Sequence, residues 1–356
     1  MTDKGTSPAG NGKPKLAIYW AASCGGCEIA ILNIGDKLLV VDDAFEIVFW
    51  PCAADFKYED VRNYPDKYID LCLFNGAIRS SENEEMAHLL RQKSKVLVAF
   101  GSCAQEGCIP GLSNLTSASD TFQAVYMDNP SIDNPAALFP QTVTTVPEGD
   151  LHIPFFYNTV RSLDQVVPVE YVIPGCPPEP PQIWAVLEAI VTGAQLPAPG
   201  STVIGASHLA VCSECPLEKH EKTIERFYRP YEITPEPGLC LLEQGLMCMG
   251  IATRGGCGAL CPRVGMRCEG CYGLLDGVED QGANMISAIA SVVNVGKPGD
   301  EETELERRIR AAMDSIVDPA GTFYRFNMAH SLLHRARTGN HDDVRRVKSE
   351  VPHETH

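Results

Sequence analysis

The sequence predicts an α/β protein whose first half is a doubly wound parallel sheet and whose second half is a loop-rich segment with a helical tail. Short apolar runs alternate with helical patterns over residues 15–193. Eight of the 15 cysteines lie within residues 212–271, and a mixed-charge helical pattern follows at 300–315. With 356 residues, 44% of them hydrophobic, the chain is long enough for two domains.

The strands and helices of the first half follow from hydrophobic periodicity. Helical patterns lie at 28–41, 82–94 and 180–193. Their alternation with short apolar runs is typical of a parallel α/β sheet, here a flavodoxin-like one over residues 15–199. Five runs predict its buried strands: KLAIYW (15–20), FEIVFW (45–50), IDLCLF (69–74), KVLVAF (95–100) and VEYVIP (169–174).

The remaining segments are divided by composition. The Pro- and Gly-rich stretch 194–202 predicts a linker, and residues 111–166, rich in Pro, Asn and Ser, predict an excursion on a partner-facing side. The other predicted segments are a flexible N-terminal tail (1–14), a cysteine-rich domain (203–295), a helical tail (300–336) and a disordered end (337–356).

Charge and composition exclude several classes of function. A formal net charge of −17 argues against nucleic acid as a partner, since such binding depends on Lys and Arg. The chain contains no apolar run long enough to span a membrane, and its first residues contain neither an apolar signal core nor a twin-arginine pair. We therefore expect a cytoplasmic protein, in which 15 cysteines indicate metal or redox chemistry rather than disulfides.

The first group of cysteines follows the predicted strands. Cys24 and Cys27, in CGGC, come after the first strand, Cys103 after the fourth and Cys176 after the fifth. Because ligands bind beyond the carboxyl ends of parallel strands, we expect the four thiols to converge at one edge of the sheet. CGGC alone fits a redox dithiol, and four convergent thiolates suit either zinc or an iron–sulfur cluster.

The second group lies in the loop-rich segment. Cys-x2-Cys pairs open and close it, and a segment of this kind, without a large core of its own, usually needs a metal or disulfides for stability. Eight thiols fit two four-cysteine sites, either clusters or zinc ribbons. These cysteines are Cys212, Cys215, Cys240, Cys248, Cys257, Cys261, Cys268 and Cys271.

These motifs resemble those of the small subunits of nickel–iron hydrogenases, and among them the cytoplasmic methyl-viologen-reducing, F420-non-reducing gamma-subunit type. The resemblance extends from about residue 15 to about residue 335 and includes CGGCE, GSCA and PGCPP. The spacing Cys212-x2-Cys215-x24-Cys240-x7-Cys248 is similar to the family's distal pattern, although relatives often have His at the first position. DPAGTFYRFNMAHSLL, at 318–333, is also similar to this subgroup.

The resemblance implies an electron-transfer subunit with three 4Fe–4S clusters. Electrons from hydrogen, split at the nickel–iron centre of a large subunit, would pass to a flavin or iron–sulfur partner such as a heterodisulfide-reductase-type complex. The implied ligands are Cys24, Cys27, Cys103 and Cys176 (proximal), Cys257, Cys261, Cys268 and Cys271 (medial), and Cys212, Cys215, Cys240 and Cys248 (distal).

Two other functions remain open at this point. A single-cluster subunit of a respiratory NADH–quinone reductase shares the N-terminal motif style, but it would not need the eight C-terminal cysteines. A structural module whose thiols hold zinc would contain zinc and no iron.

Several single residues have a functional and a structural interpretation. Glu28 is either a proton relay beside the proximal site or an acid favoured in the first helical turn. Cys72 is expected to pack inside a strand, whereas Cys52 and Cys108 would line the first site without binding. Asp60 is left unassigned because the four cysteines suffice. The three histidines at 220, 330 and 334 are expected to be solvated or packed rather than ligands.

Overall fold

The computed structural model describes residues 12–220, 223–294 and 301–333. The predictions for residues 1–11, for His334 and for the disordered end lie outside these ranges. Within them, no helix has the length and apolar character needed to cross a membrane.

A six-stranded parallel sheet forms the first half, in the order β2-β1-β3-β5-β9-β10. Leu71 of β3 lies opposite Leu16 of β1 on one side and Val96 of β5 on the other. This order is that of a flavodoxin-like sheet with one strand added, so the predicted fold class is confirmed. The strands of the chain are β1 Lys15–Trp20, β2 Glu46–Phe49, β3 Ile69–Asn75, β4 Ile78–Ser80, β5 Ser94–Phe100, β6 Val143–Val146, β7 Gly149–His152, β8 Phe156–Arg161, β9 Tyr171–Ile173 and β10 Thr202–Val203.

Helices cover both faces of the sheet. The α-helices are α1 Gly26–Leu32, α2 Lys37–Ala44, α3 Tyr58–Asn63, α4 Ser81–Lys93, α5 Ser102–Glu106, α6 Cys108–Gly111, α7 Ala118–Tyr126, α8 Pro180–Val191, α9 Leu260–Arg263, α10 Gln281–Val292, α11 Glu302–Asp314 and α12 Pro319–Phe323. Short 3₁₀ helices span Leu112–Leu115, Val211–Ser213 and Met249–Ala252.

The two faces of β1 show how the strands are buried. Leu16 and Ile18 pack with α1, α2 and α8 on one face, whereas Ala17 and Tyr19 pack with α3 and α4 on the other. Since successive side chains point to opposite faces, a strand buried on both sides appears in the sequence as one continuous apolar run.

The cysteine-rich segment and the helical tail share a separate core. Met285 and Ile289 of α10, Ala312 of α11 and Phe323 of α12 pack with Met249. The segment has few helices and no strand longer than an isolated bridge among its described residues. Loops therefore shape it, held against the helices of the tail.

The segment 111–166 contains more regular structure than its composition indicates. It contains α7, an exposed hairpin of β6 and β7, and β8, which pairs antiparallel with β4. Ser117 begins α7 with a capping box, in which its hydroxyl accepts a hydrogen bond from the Asp120 N–H.

Candidate metal centres

The loops after β1, β5 and β9 bring the proximal cysteines to one edge of the sheet. Cys27 lies in α1, Cys103 lies in α5 directly after β5, and Cys176 follows β9. Burial, with charge interactions from Cys176 and then Cys24, raises the pKa of the Cys27 thiol. The structure therefore places Cys24, Cys27 and Cys176 close together, and Cys103, in α5, lies in the small core against which Cys176 packs.

Gly101 is a close-approach position in this site. Its φ is +83°, and a Cβ there would collide with the Sγ atom of Cys27. Its N–H donates to the carbonyl of Ile173, which ties the end of β5 to β9. Only glycine combines this backbone conformation with space for the thiol.

A fifth thiol, that of Cys108, also reaches the proximal site. Cys108 is 1% exposed, and its Sγ donates to Cys176 Sγ across 3.5 Å. Hydrogen bonding with Cys103 raises the pKa of Cys108. Cys103, Cys108 and Phe326 form one small core, against which Cys176 and Cys271 pack. The sequence prediction that Cys108 lines the first site agrees with this position.

The predicted medial cysteines surround a cavity of about 200 Å³. The backbone of Cys271 is fixed by the Ser102 hydroxyl, which donates to its carbonyl across 2.5 Å. Burial raises the pKa of Cys271 to about 12. All four predicted medial ligands line the cavity, together with Val211, Thr253, Pro262, Glu269, Tyr272, Phe326 and proximal Cys176.

The predicted distal cysteines also interact with one another. Burial, followed by the charge of Cys248, raises the pKa of Cys212 to about 11, with smaller contributions from Cys240 and Cys215. The Lys219 ammonium donates to the carbonyl of Cys212 across 2.9 Å. Four thiols separated by 2, 24 and 7 residues are thus gathered by loops into one group.

The three groups are connected in series. Cys176 of the proximal group and Cys271 of the medial group pack in the same small core. The Cys268 N–H of the medial group donates to Cys248 Sγ of the distal group across 3.2 Å. The medial group therefore lies between the other two.

The donor sets fit iron–sulfur clusters. Thiolates on one tetrahedral ion with bonds of about 2.3 Å lie about 3.8 Å apart, whereas a cube of four irons and four sulfides holds its thiolates further apart. Across 12–220, 223–294 and 301–333, no three His, Cys, Asp or Glu side chains are arranged to hold a single ion. Four thiols around a cavity suit a cluster, which would bind with release of the thiol protons.

Glu28 is buried beside the proximal site at 5% exposure. The Trp50 indole N–H donates to its Oε2 across 2.5 Å, and its Oε1 has no partner within the described part of the chain. Burial raises the pKa of Glu28, opposed by the Trp50 indole N–H, which favours the charged form. A partly bonded carboxyl at this edge has the chemistry of a proton carrier.

The remaining singled-out residues have structural partners. Asp60 caps α3 by accepting from the Lys57 N–H across 2.8 Å. Cys72 is completely buried inside β3, and Cys52 is exposed. His330 pairs with Asp164 across 3.1 Å, and the His220 side chain is at the surface. The packed interpretation fits Cys72 and His330, and the solvated interpretation fits His220. That Cys52 lines the first site stays a prediction.

Two of the comparisons with known proteins match only about half of the chain. Residues 24–190 match the family model "NADH ubiquinone oxidoreductase, 20 Kd subunit". A solved NAD⁺-reducing [NiFe]-hydrogenase chain is 25% identical with a TM-score of 0.45, covering 52% of this chain and 96% of that chain.

Curated relatives match across both halves. The iron–sulfur subunit of the F420-non-reducing hydrogenase of Archaeoglobus profundus is 40% identical over 285 residues, 78% of this chain and 88% of that protein. The corresponding vhu hydrogenase subunit of Methanococcus voltae is 36% identical over 321 residues, 90% and 97% of the two chains. This chain is a hydrogenase subunit and belongs to the family of the F420-non-reducing hydrogenase iron–sulfur subunits.

Proposed function

We propose that this subunit carries electrons from hydrogen, split at the nickel–iron centre of a partner large subunit, through three 4Fe–4S clusters to a flavin or iron–sulfur partner. The observation that carries the proposal is the serial arrangement of the thiol groups. Proximal Cys176 packs with medial Cys271, and medial Cys268 donates to distal Cys248 across 3.2 Å. A structural zinc module would have no need for three such sites in contact.

The comparisons support this function over a single-cluster subunit. The 20 Kd subunit model ends at residue 190, before the first of the eight C-terminal cysteines. The F420-non-reducing hydrogenase relatives continue through that region, and the match to the Methanococcus voltae protein covers 90% of the chain. The proposal therefore assigns the additional eight thiols to the medial and distal clusters.

The chain's own groups adjust each site. Backbone N–H groups point at sulfur in these sites: Gly26 donates to Cys24 Sγ across 3.4 Å, and Cys268 donates to Cys248 Sγ across 3.2 Å. Hydrogen bonds to sulfur and burial are the means by which a protein sets a cluster's potential. Differences between the sites in these hydrogen bonds and in burial would give the three clusters different reduction potentials.

The surface beside the proximal site suits the large subunit. Trp20, Ile29 and Leu32 are large apolar side chains exposed by 41–57% close to Cys24 and Cys27 in the chain. Large apolar side chains exposed near a site in this way favour a protein interface there. We place the large subunit here and the electron acceptor, such as a heterodisulfide-reductase-type complex, at the distal end. The expected location of the whole complex is cytoplasmic.

Metal analysis of the anaerobically purified complex tests the proposal. Three 4Fe–4S clusters require about twelve irons in this subunit. About four irons would indicate the single-cluster function, and zinc without iron would indicate the structural module. Either result would contradict the relay. A Cys72→Ser variant serves as the control for this iron analysis. It should keep the wild-type iron content, because Cys72 is buried in β3 away from the three thiol groups.

A further inference from the structure

The proximal site has one thiol more than a 4Fe–4S cluster needs. Cys24, Cys27, Cys103 and Cys176 supply the four expected ligands, and the side chain of Cys108 lies in the same core as Cys103. Cys108 Sγ is 3.5 Å from Cys176 Sγ and donates a hydrogen bond to it. This separation is close to the ~3.8 Å expected for two thiolates that reach the same tetrahedral metal atom.

The surrounding structure fixes Cys108 in this position. Its φ is +47°, a left-handed conformation that a residue with a Cβ rarely adopts. Its N–H donates to the carbonyl of Phe326 across 2.9 Å, and the preceding Gly107 turns the chain at φ +83°. A strained residue persists where its neighbours determine its conformation, and such residues cluster at functional sites.

Building on the proposed function, we propose that Cys108 is an alternative ligand of the proximal cluster and exchanges with Cys176 on one iron. In the exchange, the Cys108 proton passes along the hydrogen bond to Cys176. The iron bond of Cys176 breaks and an iron bond to Cys108 Sγ forms. No electron changes hands, and atoms and charge balance within the pair.

Because of the exchange, the proximal site should keep its cluster when the Cys176 thiol is removed. The experiment tests this property. We compare Cys176→Ala, Cys108→Gly, the double variant with both substitutions, and Cys24→Ala, each in the anaerobically purified complex. Cys108→Gly is the appropriate partner substitution because glycine accepts the positive φ without strain. The readouts are iron content and the electron paramagnetic resonance spectrum of the dithionite-reduced protein.

We expect Cys176→Ala to keep the wild-type iron content, with a changed proximal signal because Cys108 now holds the iron. The double variant loses about four irons, as does Cys24→Ala. Loss of four irons in Cys176→Ala alone would overturn the exchange. Loss in Cys108→Gly alone would also overturn it, because Cys108 would then be the resident ligand.

Two further measurements keep the outcomes separate. The wild-type iron content tests the proposed function by itself, so a wild-type protein without about twelve irons contradicts the relay rather than the exchange. If Cys176→Ala does not accumulate, Cys176→Ser replaces it. A hydroxyl is a poorer ligand for iron than a thiolate, so the same retention and the same loss are expected.

Discussion

At the scale of single residues, the hydrogen bonding and the pKa of Glu28 favour a proton-carrying role over a purely structural one. Trp50 donates to one of its oxygens across 2.5 Å, while the other is buried without a partner in the described part of the chain. Burial raises its pKa from the ordinary range of a glutamate. A carboxyl whose pKa moves toward neutrality accepts and releases protons more effectively at physiological pH.

We expect Glu28→Gln to lower hydrogen oxidation by about 10²-fold, because an amide of nearly the same shape does not carry a proton. Iron content and dithionite reduction of the clusters should be unchanged, since neither depends on proton movement. Hydrogen-dependent dye reduction by the purified complex measures the effect. Full activity would mean that Glu28 only favours the start of α1.

Trp50→Phe tests the same residue without removing its carboxyl. The indole N–H favours the charged form, so its removal raises the pKa of Glu28 further. If the carboxylate is the proton acceptor, the acid limb of the pH profile for hydrogen oxidation moves to higher pH. An unmoved acid limb would contradict a proton-carrying role.

Ligand and bystander thiols should respond differently to serine. We expect Cys215→Ser to lose or destabilise one cluster, because a hydroxyl is a poor iron ligand. Cys72→Ser should keep all the iron and lose about 1–3 kcal/mol of stability through a buried polar atom. Iron analysis and thermal unfolding measure the two effects. Equal iron loss in both variants would contradict the ligand assignment.

At the scale of elements, buried strands were the most predictable part. KLAIYW forms β1 over the whole predicted range. Of the other four runs, two contain all of β2 and all of β9, and two contain all but one residue of β3 and of β5. The single helical pattern at 28–41 was wrong, because the chain forms α1 and α2 instead. Gly35, at φ +70°, lies in the turn between them, a break that apolar spacing does not reveal.

Short elements were missed where pairing rather than periodicity creates them. β10 has two residues and lies at the end of the predicted linker, where pairing with β9 extends the sheet. In the candidate site, strand order predicted where the proximal cysteines converge. The position of Cys108 followed from no spacing rule, because the turn at Gly107 and the contact with Phe326 determine it.

Gly107 and Gly111 form a matched pair for testing the contact between α6 and the tail. A Cβ at Gly107 would lie 2.5 Å from Ala329 Cβ, at a φ of +83°. A Cβ at Gly111 would lie 3.4 Å from the same atom, with a helical backbone. We expect Gly107→Ala to cost about 2 kcal/mol or more from strain and overpacking.

Gly111→Ala should change stability far less, because its neighbour needs to move only slightly. Thermal unfolding of the anaerobic protein compares the two variants. Similar midpoints for both would show that the tail moves freely to accommodate a side chain at Gly107.

At the scale of the whole molecule, hydrogen bonds join the parallel sheet and its helices to the cysteine-rich segment. The Tyr272 hydroxyl donates to Gln182 Oε1 of α8 across 2.8 Å. The Leu274 N–H donates to Glu106 Oε1 of α5 across 3.2 Å. These contacts fix the proximal group relative to the medial group.

We expect Tyr272→Phe to reduce stability by about 1 kcal/mol, because a hydrogen bond between two buried side chains is lost. Tyr231→Phe is the control, since Tyr231 is 86% exposed. Thermal unfolding and the rate of cluster reduction by hydrogen report the effects on stability and geometry. An unchanged midpoint in Tyr272→Phe would show that this hydrogen bond does not hold the sheet and the cysteine-rich segment together.

The position of Phe326 has a consequence for biosynthesis. This side chain lines the medial cavity, yet the ribosome adds it after all 15 cysteines have been synthesised. Until the tail docks, one wall of the cavity is missing and the thiols around it are open to an assembly factor. Chain direction thereby allows cofactor delivery to precede docking of the tail.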